Sequence, residues 1–330
     1  LNLNTTYKHP HTSFKLGGVF YDTIGLLSLA ERFIKEGEDY QFTLGSFIAK
    51  WMDSSSEISL QTSGSTGTPK TILMSKQAMV NSAIVTGDYF KLRAGDSALS
   101  CLPFEYIAAK MMFVRAYVLG LELDCIKPSS NPLEAVSRSY DFCALVPLQL
   151  ESSIEYLHHI KTIIVGGAKV SKALMSKLVN SPSAIYETFG MTETVSHIAV
   201  KNISKSKDAF EVLPSVSIGV DTRNCLFIKA PHIISTLIQT NDVVNLTSKT
   251  AFEWIGRFDT IINSGGIKIA PEQLEHQLEG FIEERFFIAS QKDNSLGEII
   301  IIVIERSIPD KNLSFDALEP IKRPKLTYYV

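Results

Sequence analysis

The sequence is poor in features that would mark several common protein classes. Its 330 residues hold four cysteines, Cys101, Cys125, Cys143 and Cys225. No two stand in a C-x-x-C spacing, which argues against a zinc site or a dithiol redox pair and for reduced thiols in a cytosolic core. There is no basic excess: Lys plus Arg is 32 against 35 for Asp plus Glu, a net charge of -3. That excludes a nucleic-acid binder working by bulk charge, but not a small anion held by a few local groups. Long apolar runs are also missing, and the run 299–304 is far shorter than a membrane span. The polar residues 2–8 do not resemble a signal peptide, although the sequence opens on Leu1 rather than Met. The expectation is a cytoplasmic protein with neither nucleic acid nor membrane as partner. Nothing in the sequence fixes an oligomeric state.

What is present is ordinary globular composition, 45% hydrophobic and 20% charged, long enough for about two domains at roughly 150 residues each. Apolar, β-branched runs alternate with helical spacing. Strands are expected at 58–61, 98–102, 142–146, 161–165 and 184–188, and helices at 75–89, 107–119, 148–158 and 171–178, with Ser75 as a helix cap. This alternation predicts an α/β fold built on a doubly wound, largely parallel sheet. In such sheets ligands bind beyond the carboxyl ends of the strands, and the segments 62–70, 166–168 and 189–193 all follow expected strands. After about residue 210 the expected strands shorten: 216–220, 225–229, 243–246 and 251–255. Then come a strand at 261–264, a Gly265-Gly266 turn, a helix at 271–278 opened by Pro271, and strands at 286–290 and 299–305.

Residues 62–70 read Thr-Ser-Gly-Ser-Thr-Gly-Thr-Pro-Lys. Glycines let a backbone approach a polyanion closely, hydroxyls and N–H groups donate to phosphate oxygens, and a lysine adds a point charge. A Walker-type loop needs Gly-Lys-Ser/Thr, and here Pro69 precedes Lys70. The stretch resembles the phosphate-loop motif of the adenylate-forming superfamily of acyl-CoA synthetases, luciferases and nonribosomal adenylation domains. Two further stretches match in the same order. Residues 186–193, Tyr-Glu-Thr-Phe-Gly-Met-Thr-Glu, resemble the superfamily's aromatic-Gly-Met-Thr-Glu motif. Gly256-Arg257-Phe258-Asp259, continuing through residues 263–268, resembles its hinge and the following loop.

The resemblance implies a large N-terminal domain, residues 1–258, with mostly parallel sheets flanked by helices plus a small β-subdomain, and a small mobile α+β C-terminal domain, residues 259–330. It also implies a chemistry. A carboxylate attacks the α-phosphate of ATP, and a thiol, usually that of coenzyme A, then displaces AMP. Bringing an anion up to a tetra-anion needs donors and cations that offset charge. By analogy Thr62, Ser63, Gly64, Ser65, Thr66, Gly67 and Lys70 would hold the β- and γ-phosphates. Thr192 would donate to the α-phosphate, and Glu193 would help hold Mg²⁺, which favours oxygen ligands. Phe189 and Gly190 on one side and Gly166-Gly167-Ala168 on the other would flank the adenine. Asp242 would accept from the ribose hydroxyls, although Asn241 stands where the superfamily usually has glycine. Arg257 would be a second ribose or phosphate contact. Asp259 would be the hinge, and Ser264, Gly265, Gly266 and Lys268 would meet the coenzyme A arm.

The superfamily's C-terminal lysine, in a Thr-x-x-Gly-Lys stretch, has no counterpart here. Residues 322–330 are similar to the segment shortly before it, so the expectation is a C-terminal domain that is incomplete in this sequence. The stretches 145–150, 163–168 and 189–197 resemble the o-succinylbenzoate–CoA ligases of menaquinone biosynthesis. That acid carries a second carboxylate, which needs a donor or cation. Phe104, Tyr106, Lys110, Ser196 and His197 are candidates for the acyl pocket, with Arg115 a comparable one. A ligase for another aryl or short-chain acid, a carrier-loading enzyme, or a nucleotide-binding protein that has lost catalysis remain open at this point.

Overall fold

A computed structural model describes residues 5–61, 71–205, 207–307, 313–316 and 318–330. The chain divides into two compact units. The first holds residues 1–170, 178–217 and 229–238; the second holds 171–177, 218–228 and 239–330.

In chain order the first unit has β1 (Lys15–Leu16), β2 (Val19–Phe20), α1 (Thr23–Glu36), α2 (Asp39–Met52), β3 (Glu57–Gln61), β4 (Thr71–Ser75), α3 (Lys76–Phe90), β5 (Ser97–Ser100), α4 (Ile107–Leu119), β6 (Glu122–Cys125), β7 (Tyr140–Leu145), α5 (Pro147–Ser152) and β8 (Ile160–Val165). Between β8 and the next strand lies α6 (Lys172–Leu178), which belongs mainly to the second unit. The first unit then closes with β9 (Ala184–Gly190), β10 (His197–Asn202) and β11 (Phe210–Val212). Its main sheet runs β11-β10-β9-β8-β7-β5-β6-β1-β2. The pairings from β9 across to β1 are all parallel, whereas β9–β10, β10–β11 and β1–β2 are antiparallel. The expected α/β class, a parallel-rich sheet flanked by helices, is what the structure shows.

The central strands are apolar on both faces because helices cover both. On β7, Phe142, Cys143, Ala144 and Leu145 are buried, as are Ile163, Ile164 and Val165 on β8. Helix α4 is apolar nearly all round and is buried from Met111 through Val118, as a core helix must be. Phe14, Phe47, Trp51, Phe113 and Tyr117 form the aromatic part of this core. The Ser75 cap is present: its hydroxyl accepts from the Ala78 N–H at 3.4 Å. The helix expected over 148–158 instead ends at Ser152. Ser153 donates its N–H to both Gln149 O and Leu150 O, and a 3₁₀ turn carries the chain from Ile154 to His159.

Besides α6, the second unit holds β12 (Ser217–Val220), β13 (Cys225–Lys229), β14 (Ile238–Ser248) and β15 (Ala251–Arg257), in that sheet order. It continues with β16 (Ile262–Ser264), β17 (Ile267–Ile269), α7 (Pro271–Leu278), β18 (Phe286–Asp293), β19 (Gly297–Ile304) and β20 (Leu326–Tyr329). Ile262, Ile269, Leu274, Ile288, Ile300 and Ile302 pack as its small core. The expected Gly265-Gly266 turn joins β16 to β17. Both glycines have positive φ, 59° and 83°, as a two-residue hairpin turn of this type demands. Among the described residues no helix is long and apolar enough to cross a membrane.

Candidate active site

The candidates of the first unit gather where β8 and β9 end side by side, at the carboxyl edge of the parallel sheet. The β8 strand runs out into Gly166-Gly167-Ala168. Thr188 on β9 donates its hydroxyl to Val165 O at 2.9 Å. A Cβ on Gly166 would lie 2.6 Å from the Thr188 hydroxyl oxygen, and Gly167 has φ +87°. Both glycines are therefore dictated by close approach and turn shape. Gly167 and Ala168 are exposed and Phe189 is half-buried.

Gly190 closes β9 opposite His197. A Cβ there would run into the Ser196 carbonyl and stand 2.6 Å from His197 Cα. The chain then turns through Thr192–Thr194. The Thr194 hydroxyl, fully buried, accepts from the Met191 N–H at 2.9 Å and stands 2.7 Å from Ser196 O. Ser196 donates its N–H to Thr194 O at 2.7 Å across Val195, whose φ of 65° and ψ of -49° make a classical γ-turn. That conformation is strained for a β-branched residue. It is held by the Thr194 bonds and by complete burial of Val195. Within this turn Thr192 and Glu193 are half-buried, and neither side chain has a hydrogen-bond or ion-pair partner among the described residues. A free hydroxyl beside a free carboxylate fits an anion on the first and a hard cation on the second.

Directly after the turn lies a buried cation. Arg115, on α4, is 2% exposed. It donates from Nη2 to Ser196 Oγ at 2.6 Å and from Nη1 to Met112 Sδ at 3.7 Å. Its Nε has no partner and no carboxylate pairs with it among the described residues. Burial pushes its pKa down to about 9, so it still carries its charge at neutral pH. Ser196 Oγ also lies 3.2 Å from His197 Nδ1. Since the guanidinium can only donate, the serine accepts from it and gives its own proton to Nδ1, which places the imidazole proton on Nε2. That Nε2 is buried without a partner. Burial, then the adjacent Arg115 charge, hold His197 well below the usual histidine pKa.

The other acyl candidates sit differently. Phe104 is buried in the core with its ring 6.1 Å from Phe47. Tyr106 is an exposed residue at the start of α4. Lys110 is half-buried, its Nζ donates to Glu105 O at 2.8 Å, and burial lowers its pKa.

In the second unit, Asp242 on β14 pairs across the sheet with Arg257 on β15. Asp242 Oδ1 accepts from the Trp254 indole at 2.9 Å. Asn241 lies in regular strand, so its position needs no glycine. Arg257 forks onto both carboxylate oxygens of Asp259 at 2.9 Å each, which lowers the Asp259 pKa and raises that of Arg257. Two cations lie over the Phe258 ring, Arg223 at 4.9 Å and Lys268 at 5.7 Å from its centre. Ser264 is buried and Lys268 exposed. The candidates Thr62, Ser63, Gly64, Ser65, Thr66, Gly67 and Lys70 lie outside the described residues.

Sequence reasoning missed Glu187 and Lys201. These two form a buried ion pair at 2.6 Å. Glu187 stood unassigned inside the 186–193 motif and Lys201 in the strand that follows, and no spacing rule links them.

Residues 58–225 match the sequence profile of a family described as AMP-binding enzyme. Among solved structures the chain resembles an acyl-CoA synthetase (AMP-forming)/AMP-acid ligase II-like protein from Dyadobacter fermentans, at 34% identity and a TM-score of 0.65, covering 92% of both chains. It also resembles the O-succinylbenzoate coenzyme A synthetase of Bacillus subtilis, solved with ATP and magnesium ion, at 18% identity and a TM-score of 0.74, covering 86% of this chain and 71% of that one. Among curated proteins, the 2-succinylbenzoate–CoA ligase of Haemophilus influenzae is 24% identical over 81% of this chain. The chain spans 65% of the length of that relative.

Proposed function

Because the chain belongs to the AMP-binding enzyme family, we propose that it joins a carboxylic acid to coenzyme A through an acyl-adenylate, and that the acid is o-succinylbenzoate, the substrate of this step in menaquinone biosynthesis. The acid carboxylate displaces pyrophosphate from the α-phosphate of ATP. The coenzyme A thiol then displaces AMP. No general base is required of the first step, since a carboxylate is already a nucleophile.

Thr192 donates to the α-phosphate. Glu193 offers an oxygen to Mg²⁺, which when bound offsets charge on the phosphates. The adenine lies between Phe189 with Gly190 and the Gly166–Ala168 loop. Asp242 keeps Oδ2 for a ribose hydroxyl while Oδ1 is held by Trp254. Arg257 contacts the ribose or phosphate after releasing Asp259, the hinge. Ser264, the Gly265-Gly266 turn and Lys268 meet the coenzyme A arm, and Lys70 with residues 62–67 holds the triphosphate. The work is cytoplasmic.

The observation that carries the choice of acid is Arg115. A buried guanidinium without a counter-ion is costly, and a ligand carboxylate would repair that deficit. An acid with a second carboxylate supplies one. The acid–CoA ligases named among the relatives support the same reading. The test is AMP release with ATP, coenzyme A and a panel of acids. We expect o-succinylbenzoate to be preferred over benzoate by at least an order of magnitude. Turnover of simple benzoates without o-succinylbenzoate would overturn the substrate. Silence with every acid would favour a nucleotide-binding protein without catalysis.

A further inference from the structure

Glu187 is a buried carboxylate with two attachments. Its Oε1 accepts from the Val170 N–H at 3.0 Å, and Val170 lies in the loop that begins at Gly166. Its Oε2 pairs with Lys201 Nζ at 2.6 Å, with 5% and 10% of the two side chains exposed. Glu187 and Lys201 are direct cross-strand partners on β9 and β10. The ammonium of Lys201 in turn lies 4.9 Å from the ring centre of Phe210, and the Phe210 ring stands 5.9 Å from Phe189.

One carboxylate therefore connects the loop that follows β8 with the aromatic residue near the end of β9. Through the Val170 amide it anchors the Gly166–Ala168 wall, and through Lys201 and Phe210 it braces Phe189. We propose that Glu187 is a positioning residue that sets the width of the adenine slot, a role that rests on the nucleotide reading above. Gly166 is held by its N–H bond to Leu145 O at 3.1 Å, but Gly167 and Ala168 are exposed, so the Val170 anchor limits how far they move. A buried ion pair with both partners hydrogen-bonded or stacked fixes geometry more than it adds stability.

Two measurements test this on the whole chain. The first is amide hydrogen exchange without nucleotide, in wild type, Glu187→Gln and the double variant Glu187→Gln/Lys201→Met. The second is calorimetric affinity for ATP, GTP and inorganic tripolyphosphate. We expect exchange over residues 166–170 to rise at least tenfold in Glu187→Gln. ATP affinity should fall about tenfold, tripolyphosphate affinity should hold, and the preference for ATP over GTP should shrink. The double variant removes the unpaired charge, so it keeps the protein folded while still losing base discrimination. Unchanged exchange at 166–170, or equal loss of ATP and tripolyphosphate, would overturn the proposal. Faster exchange in a protein whose wild type binds no ATP would instead sink the nucleotide reading.

Discussion

Arg115 on α4 and Ser196 at the entrance to β10 are joined by a hydrogen bond of 2.6 Å although 81 residues separate them. The bond couples a cation buried in a core helix to the strained turn that also presents Thr192 and Glu193. In the proposed reaction, recognition of the acid and handling of the phosphate would both depend on this turn.

If Arg115 receives the second carboxylate, Arg115→Ala loses a charge-assisted contact of about 1.5–3 kcal/mol. That predicts a fall of roughly 10- to 150-fold in kcat/KM for o-succinylbenzoate. Benzoate, which has no second carboxylate, should lose less, because only the disturbance of the Ser196 turn affects it. Steady-state kinetics with both acids read this directly, and an equal loss for both would count against the assignment.

His197 sets an acid-side limit on stability. Its folded-state pKa lies below that of the unfolded chain, so below about pH 6.5 the unfolded state takes up a proton that the folded state does not. Its contribution is therefore present above pH 6.5 and is lost as the pH falls. Unfolding free energy should therefore fall between pH 7 and 5.5. Urea denaturation at both pH values should show a smaller drop in His197→Gln than in wild type.

Gly190→Ala should be severe. The added methyl meets Ser196 and His197 backbone rather than a movable side chain, so the β9–β10 connection must open. We expect about 2–4 kcal/mol of destabilisation and loss of activity. Thermal melting together with AMP release would register both. A variant that melts and turns over like wild type would show that the turn relaxes freely.

Some of this was legible in the sequence for identifiable reasons. The run of β8 is β-branched and stops at Gly166, and the mainly apolar run of β7 stops at Pro147, so residue type and punctuation agree. Helix α7 begins at Pro271, as expected. Helices α1 and α2 had no sequence assignment, although Asp22 caps α1 by accepting from the Gly25 N–H at 2.8 Å and Leu26, Leu29 and Ala30 give the apolar stripe. The break at Ser153 depends on local hydrogen bonding that periodicity does not carry. Val195 at positive φ is a conformation that residue preferences exclude, and only its tertiary burial explains it. Arg115 reads as one of two basic residues in an otherwise apolar helix until the fold brings Ser196 and His197 to it. Glu187 and Lys201 meet through strand register, which no single stretch of sequence encodes.

The central claim is that this chain activates an acid by transfer of an adenylyl group. Isotope exchange between labelled pyrophosphate and ATP, with o-succinylbenzoate present, tests it before any thiol is involved. The account predicts exchange that requires the acid and that falls sharply in Lys70→Ala and Thr192→Ala. Exchange that ignores the acid, or its absence with o-succinylbenzoate and every other acid tried, would contradict it.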